Sequence, residues 1–212
     1  LCLKGYGDPW LIPERLWHLT QRLKATGVRT ITGNIVVDST YFAGSQHAKG
    51  VEQDDSSSAY MAPAGAVSVG FNVIQIHVRP NSKAGQPAII YTEPASDHVI
   101  VEGAITTTTN GVSRYDVEVV PREGKSVVTL SGNISMKEKP KRWWRRITGP
   151  SLHAGSALHK LLLETGISLE GEVTTGSCSE DSVVVADTQS PRLADLISKV
   201  NKYSNNFMAS QL

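Results

Sequence analysis

Nowhere in the 212 residues is there an apolar run approaching the length of about 20 residues that spanning a bilayer requires, so no transmembrane helix is expected. Cysteine is scarce. Cys2 and Cys178 are too few for a disulfide scaffold or a zinc cluster, and the sequence does not show whether they pair, so buried or free thiols are the expected state. An excess of either charge is also missing: 21 Lys and Arg against 20 Asp and Glu leave a net charge of +1, which argues against a dedicated nucleic-acid binder. Gly5 and Gly7 open what could be a dinucleotide loop, but the third glycine that loop needs is replaced by Trp10. The chain opens on Leu1-Cys2-Leu3-Lys4 without an initiator methionine and closes inside a helical pattern at Leu212. Both ends therefore read as cut, and the missing targeting segment says nothing about compartment.

What is present is ordinary for a soluble globular protein, at 40% hydrophobic and 19% charged residues, enough for one large domain or two smaller ones. Leu1 to Leu3 alternate as a strand, and Gly5 to Pro9 turn the chain. Pro13 suits a first helical turn, Leu16, Trp17, Leu19 and Leu23 form an apolar face, and Gly27 stops the helix. A strand is expected over 30–37, interrupted near Gly33. The character then turns to β, with clean alternation over 73–78 and short runs at 88–91, 99–101, 115–120 and 127–130. Pro80-Asn81, Asn110-Gly111 and Glu123-Gly124 separate these runs at the spacing of an antiparallel sheet or small barrel, with Asn110-Gly111 the strongest hairpin signal.

Lys137 to Arg146 is the one concentrated basic stretch, and it holds Trp143 and Trp144. Such interleaving can stack single-stranded nucleic acid. A strand with apolar stems inward and charges in water explains it more simply, because acidic residues elsewhere cancel the field. After Pro150 helical spacing returns through Leu152, Leu158 and Leu162 to Gly166. His153 and His159 fall six apart, off a common face, and make poor metal partners. Strands are expected over 171–175 and 183–186, and Ser190-Pro191 is expected to cap a last helix.

The order reads as α+β: an α/β domain at 1–70 and 143–189, split by a nested antiparallel β domain at 71–142, with a helical piece at 190–212. That last piece carries Ser204-Asn205-Asn206 in a break between two apolar-periodic segments, where a hydroxyl and a carboxamide can be held toward a substrate. A bland reading stands beside it, since Ser204 or Asn205 can simply cap the next helix. The same Ser-x-Asn pattern recurs at Ser131-Gly132-Asn133, where it reads as a strand end and turn.

Several segments, in order, resemble one family. They are Leu3-Lys4-Gly5-Tyr6-Gly7-Asp8-Pro9-Trp10-Leu11, Thr32-Gly33-Asn34-Ile35-Val36-Val37-Asp38 with Phe42, Ala62-Pro63 leading to Phe71-Asn72-Val73, and Ser190-Pro191-Arg192-Leu193 through Asn201-Lys202-Tyr203-Ser204-Asn205-Asn206. The chain is similar to the low-molecular-mass class C penicillin-binding proteins, the D-alanyl-D-alanine carboxypeptidase/endopeptidase family. The resemblance implies that 190–212 is a helical fragment of a truncated transpeptidase-like (β-lactamase-like) domain. It implies acyl transfer through a serine, with motifs Ser-x-x-Lys, Ser-x-Asn and Lys-Thr-Gly. Ser204 would supply a hydroxyl to the proton path, and Asn206 would donate its amide to the substrate's peptide carbonyl. Asp55 and Tyr60 resemble an acid and an aromatic that line the family's pocket for a diamino-acid side chain; a solvated acidic loop is the plain alternative. Ser210, where relatives tend to carry an acid, is a departure from the pattern.

No Ser-x-x-Lys and no Lys-Thr-Gly or Lys-Ser-Gly exist in these residues. The chain thus reads as an internal piece with one motif of three, inactive by itself. The resemblance implies peptidoglycan peptides ending in D-Ala-D-Ala as substrates of the parent, beta-lactams as its inhibitors, no cofactor or metal, and a periplasmic or extracytoplasmic site. The competing expectations are a non-catalytic peptidoglycan- or partner-binding module, and last a basic-patch nucleic-acid binder.

Overall fold

The computed structural model describes residues 1–42 and 57–212. The first layer is a parallel sheet of three short strands. β1 (Cys2–Lys4) and β12 (Val173–Thr175) flank β3 (Ile35–Asp38), with Cys2 opposite Val36 and Thr174 opposite the same residue from the other side. A second parallel pair joins β2 (Thr30–Ile31) to β11 (Ser168–Leu169). Helix α1 (Pro13–Ala25) starts on Pro13, whose missing N–H has no helical partner to lose, and ends with Arg22 and Lys24 beside its exposed carbonyls. Helix α2 (Pro150–Glu164) also starts on proline and packs on β3, β12 and α1. Between them lie Leu16, Ile35, Val37, Ala154 and Leu162, all at most 1% exposed. The large aliphatic ones each contribute about 1.5–3 kcal/mol by leaving water.

Gly155 sets how close α2 comes to the sheet. A Cβ there would lie 2.5 Å from Val173 Cγ1 and 2.6 Å from Val37 Cγ2. Alanine gains about 1 kcal/mol of helix propensity over glycine, while overpacking of this kind costs about 1–3 kcal/mol. Gly155→Ala is therefore expected to lower stability by a net amount on the order of 1 kcal/mol, read as a lower denaturant midpoint with an unchanged m value.

The chain enters its second layer through a turn at Gly70–Asn72, where Phe71 and Asn72 both have positive φ. Asn72 is fully buried and ties this junction down, its amide donating to the Pro63 carbonyl (2.7 Å) and to Ser68 Oγ (2.9 Å). β4 (Val73–Arg79) then pairs antiparallel with β5 (Ile89–Glu93) on one side and β10 (Lys141–Arg146) on the other. The second sheet is built on β9 (Lys125–Ser135), which takes β8 (Arg114–Arg122) on one edge and β6 (Val99–Gly103) and β7 (Thr106–Thr108) on the other. Ile74, Ile76 and Val78 of β4 meet Val117, Val119, Val128, Leu130 and Ile134 in one apolar cluster.

The expected elements are largely in place, with four corrections. The nested region is not purely antiparallel, because β6 and β7 both run parallel to β9. The long β9 has room for both along one edge, and its other edge is taken by β8 through the two-residue turn Glu123-Gly124, both with positive φ. Asn110-Gly111 consequently turns the chain between β7 and β8 without pairing them. No strand forms over 183–186: Val183 and Val184 are 79% and 85% exposed, and the neighbouring residues are held by α1 side chains instead of a ladder, Arg22 donating to the Asp187 carbonyl and Arg15 to Thr188 Oγ1. Ser190 caps nothing, since the last long helix begins two residues after Pro191, behind Arg192, with no side-chain cap. The expected boundary at 142/143 falls inside β10.

The cysteines also differ from expectation. Cys2 and Cys178 form a disulfide, with Cα atoms 5.7 Å apart across 176 residues of sequence. β1 and the segment leaving β12 lie on either side of β3, and it is this sheet order that brings them together.

Candidate functional site

Helix α3 (Leu193–Tyr203) is followed directly by the short helix α4 (Asn206–Gln211), and Ser204-Asn205-Asn206 forms the break. Ser204 ends α3 in the left-handed conformation (φ 48°, ψ 43°), its N–H donating to the Val200 carbonyl at 2.8 Å. Asn205 starts α4: its Oδ1 accepts from the Met208 N–H at 2.9 Å. Capping is thus done by the middle residue of the triplet. That leaves Ser204 and Asn206 on either side of it, both exposed.

The ground beneath the break is firm. Leu196 from α3 and Phe207 and Met208 from α4 are buried with Ala62, and Trp10, Phe71, Val73 and Val200 pack around them. Phe71 meets Phe207 edge-on at 6.0 Å and Trp10 at 5.4 Å. Gln211 grips the backbone of Gly65 twice, donating to its carbonyl (2.9 Å) and accepting from its N–H (3.2 Å). Nothing in the sequence pattern singles out Gln211 for this. Ser210 Oγ donates to the Asn206 carbonyl at 3.0 Å and so stiffens α4.

Of the expected binding residues, Asp55 lies outside the described residues. Tyr60, in the 3₁₀ turn Ala59–Met61, does reach the triplet: Asn206 Nδ2 approaches the Tyr60 carbonyl at 3.5 Å, a long, weak bond that a substrate carbonyl could displace. Ser204 Oγ makes no hydrogen bond to another described residue. A groove of about 380 Å³, lined by Pro191, Asp195, Ser198, Lys199, Lys202 and Tyr203, lies along α3, and neither Ser204 nor Asn206 lines it. A larger concavity of about 970 Å³ lies elsewhere, under residues 177–190, and none of Tyr60, Ser204 and Asn206 lines it.

Two further polar centres were not foreseen. Asp38 is buried beside the disulfide, with donors from the Cys178 N–H (3.0 Å), Thr40 N–H (3.0 Å) and Thr40 Oγ1 (2.6 Å), and Lys4 Nζ at 3.7 Å. The Cys178 amide first and the Thr40 hydroxyl next pull its carboxyl down to about 2. Cys2, Asp38 and Cys178 cluster as metal ligands would, but each sulfur is bonded to the other and offers no thiolate. The second centre is His153, fully buried on α2 with neither ring nitrogen bonded, 6.3 Å from the His98 ring. His98 lies in the β5–β6 connection and donates from Nε2 to the Thr148 carbonyl at 2.5 Å.

A family model described as the D-Ala-D-Ala carboxypeptidase 3 (S13) family matches residues 1–212. The chain belongs to that family. It is 27% identical over 222 residues to the D-alanyl-D-alanine carboxypeptidase of Actinomadura sp. (strain R39), covering 100% of this chain and 41% of that protein. It is 24% identical to D-alanyl-D-alanine carboxypeptidase DacB of Haemophilus influenzae, covering 100% of this chain and 44% of the relative. The S13 chain therefore spans less than half the length of these relatives. Its fold matches the crystal structure of penicillin binding protein 4 (dacB) from Haemophilus influenzae with a TM-score of 0.73 at 21% identity, over 100% of this chain and 47% of that one. A second structure of the same protein, complexed with a beta-lactam, matches with a TM-score of 0.64 at 23% identity, over 100% of this chain and 44% of that one. Among the described residues of this S13 member, no helix is long and apolar enough to cross a membrane.

Proposed function

We propose that this chain is part of a serine D-Ala-D-Ala carboxypeptidase/endopeptidase that acts on peptidoglycan stem peptides through an acyl-enzyme. Ser204 lends its hydroxyl to the proton path of acyl transfer, and Asn206 donates its amide to the carbonyl of the substrate peptide. The observation that carries this reading is the division of labour in the triplet: Asn205 takes the cap, and the two flanking polar groups stay exposed on an anchored break. Tyr60, one hydrogen bond from Asn206, and Asp55 contribute to the pocket for the substrate's amine-bearing side chain, where a carboxylate facing an ammonium makes a charge-assisted bond. The parent works outside the cytoplasm, in the periplasm or an equivalent space, and is acylated by beta-lactams.

The nucleophile comes from elsewhere in the parent, since the 212 residues hold no Ser-x-x-Lys. The division into 1–70 with 143–189, 71–142 and 190–212 belongs to the same proposal, the second boundary moving past β10 because that strand pairs with β4 along its whole length. Without the nucleophile, acylation falls by orders of magnitude. This chain alone is expected to take up no labelled penicillin while the full-length protein does, as read by gel fluorescence. A labelled band from the chain alone overturns the reading.

A second reading is favoured by the same Asn205–Met208 bond: the triplet is a helix break and the chain is a peptidoglycan- or partner-binding module. Normal turnover by a full-length protein lacking the Ser204 hydroxyl would decide for it.

A further inference from the structure

We propose that the outer face of the β10–β4–β5 sheet is a docking surface for the glycan strands of peptidoglycan, remote in sequence from the Ser204 break. The inner row of this sheet needs no explanation beyond the core. Ile74, Ile76 and Val78 are fully buried, and Trp143, paired with Ile76, packs with them. The outer row is different. It carries two large rings on one face of one sheet, Trp144 at 48% and Tyr91 at 53% exposure.

Register places the groups. Arg142 lies opposite His77, and His77 opposite Tyr91, so these three form one row across the sheet. The His77 and Tyr91 rings stack, with centroids 4.3 Å apart and planes 8° from parallel, which holds one face of the tyrosine ring and leaves its other side outward. Trp144 and Glu93 end the next row, either side of Gln75. With strands about 4.8 Å apart and residues rising about 3.4 Å, Trp144 and Tyr91 sit roughly 12 Å apart, the span of about two hexose rings.

The chemistry suits an anionic saccharide polymer. Aromatic plates take the C–H faces of sugar rings, and guanidinium groups hold carboxylates in a two-pronged grip. Arg142, at one end of that row, and Arg79, two residues along β4 from His77 and opposite Ile89, are both exposed and outnumber Glu93, whose carboxylate is within 3.4 Å of His77 Nε2. The face is net basic on a chain of net charge +1, which complements a glycan bearing carboxylated peptides. Single-stranded nucleic acid also stacks on such rings, so the test compares an oligo-dT strand with sacculi directly.

The inference rests on the cell-wall reading above, and its test separates the two. Full-length protein is sedimented with purified sacculi, and turnover of a soluble D-Ala-D-Ala peptide is measured in parallel. Truncating an exposed aromatic anchor or reversing its neighbouring charge weakens a docked complex by about 10-fold, so Trp144→Ala, Tyr91→Ala and Arg142→Glu are each expected to lower sacculus binding by that order. Soluble-peptide turnover should stay within about twofold of the parent, since a rate change that small is under half a kcal/mol. Circular dichroism at equal Tm confirms folding, and Tyr91→Ala reads the surface from a different strand than Trp144→Ala. Sacculus binding unchanged in the Trp144→Ala/Tyr91→Ala pair overturns the proposal, as does tighter binding of an oligo-dT strand than of sacculi at equal salt. Ser204→Ala should bind sacculi normally whatever its turnover, so a failed cleft and a failed docking face give different results.

Discussion

Removing the Ser204 hydroxyl in the full-length protein should cut kcat on a soluble D-Ala-D-Ala peptide by about 10²–10³-fold, the usual loss when one positioned proton-transfer group is deleted. The choice of replacement makes this a test of mechanism as well as of stability. Ser204 sits at φ 48° as the end of α3, a conformation in which a side chain costs free energy and glycine does not. Ser204→Gly should therefore fold as well as the parent or better, by up to about 1 kcal/mol, while losing activity like Ser204→Ala. Two variants that differ in stability but share the same loss of rate would place the loss in the hydroxyl. If Ser204→Gly is both stable and fully active, the residue is only a helix terminus.

Acid should destabilise the protein through His153. The side chain is fully buried with both ring nitrogens unbonded, and loss of hydration, aided by the neighbouring His98, pushes its pKa down to about 3 from an ordinary 6.5. A depressed pKa means the folded state holds the neutral ring and the unfolded chain takes the proton first. The contribution is then fully present above about pH 6.5 and is lost as pH falls toward 3, at about 1.4 kcal/mol per unit. Between pH 6.5 and 4.5 the loss is about 2 kcal/mol, a large share of the stability of one domain.

The groups around this ring do not offset the loss. His98 also has its pKa lowered, chiefly by burial, and pulls in the same direction. Asp97 pairs with Lys160 at 2.6 Å and approaches His159 at 4.0 Å, but these groups are partly exposed and such pairs contribute about 0–1 kcal/mol. His153→Phe keeps a flat aromatic ring, at some overpacking cost that does not depend on pH, and removes the titration. Its Tm should fall less steeply between pH 6.5 and 4.5 than the parent's, and parallel slopes would show that His153 is not the group responsible.

How much of this was legible beforehand depended on how local the cause was. α1 and α2 follow from Pro13, Pro150 and the apolar spacing between each of them and a closing glycine, all within one helix length. The alternation of Ile74, Ile76 and Val78 gave the buried face of β4 directly. The parallel placement of β6 and β7 was not readable, because it depends on the length of β9 and on which edge β8 claims. Asn110-Gly111 is a turn in its own right, but a turn cannot say whether the strands beside it pair. Val183 to Ala186 have strand-like composition and no free edge to join.

The site was half visible in the same sense. Ser-x-Asn marked the break between α3 and α4, while the roles of Ser204 and Asn206 are proposed from the family resemblance. Which of the three residues would cap was open, since Ser204 and Asn205 are both good caps; φ at Ser204 decided it, by ending one helix there and leaving Asn205 to begin the next. Tyr60 was expected through its ring, yet the contact with Asn206 is through its backbone carbonyl. Gln211 could not have been picked out, because its partner Gly65 is 146 residues away.

The covalent link between Cys2 and Cys178 spans 176 residues, including every strand of the nested layer. A protease that nicks this polypeptide once anywhere between the two cysteines produces two pieces that stay joined until a reductant is added. A cut in the strands between the two cysteines would thus leave the Ser204 break tethered to the rest.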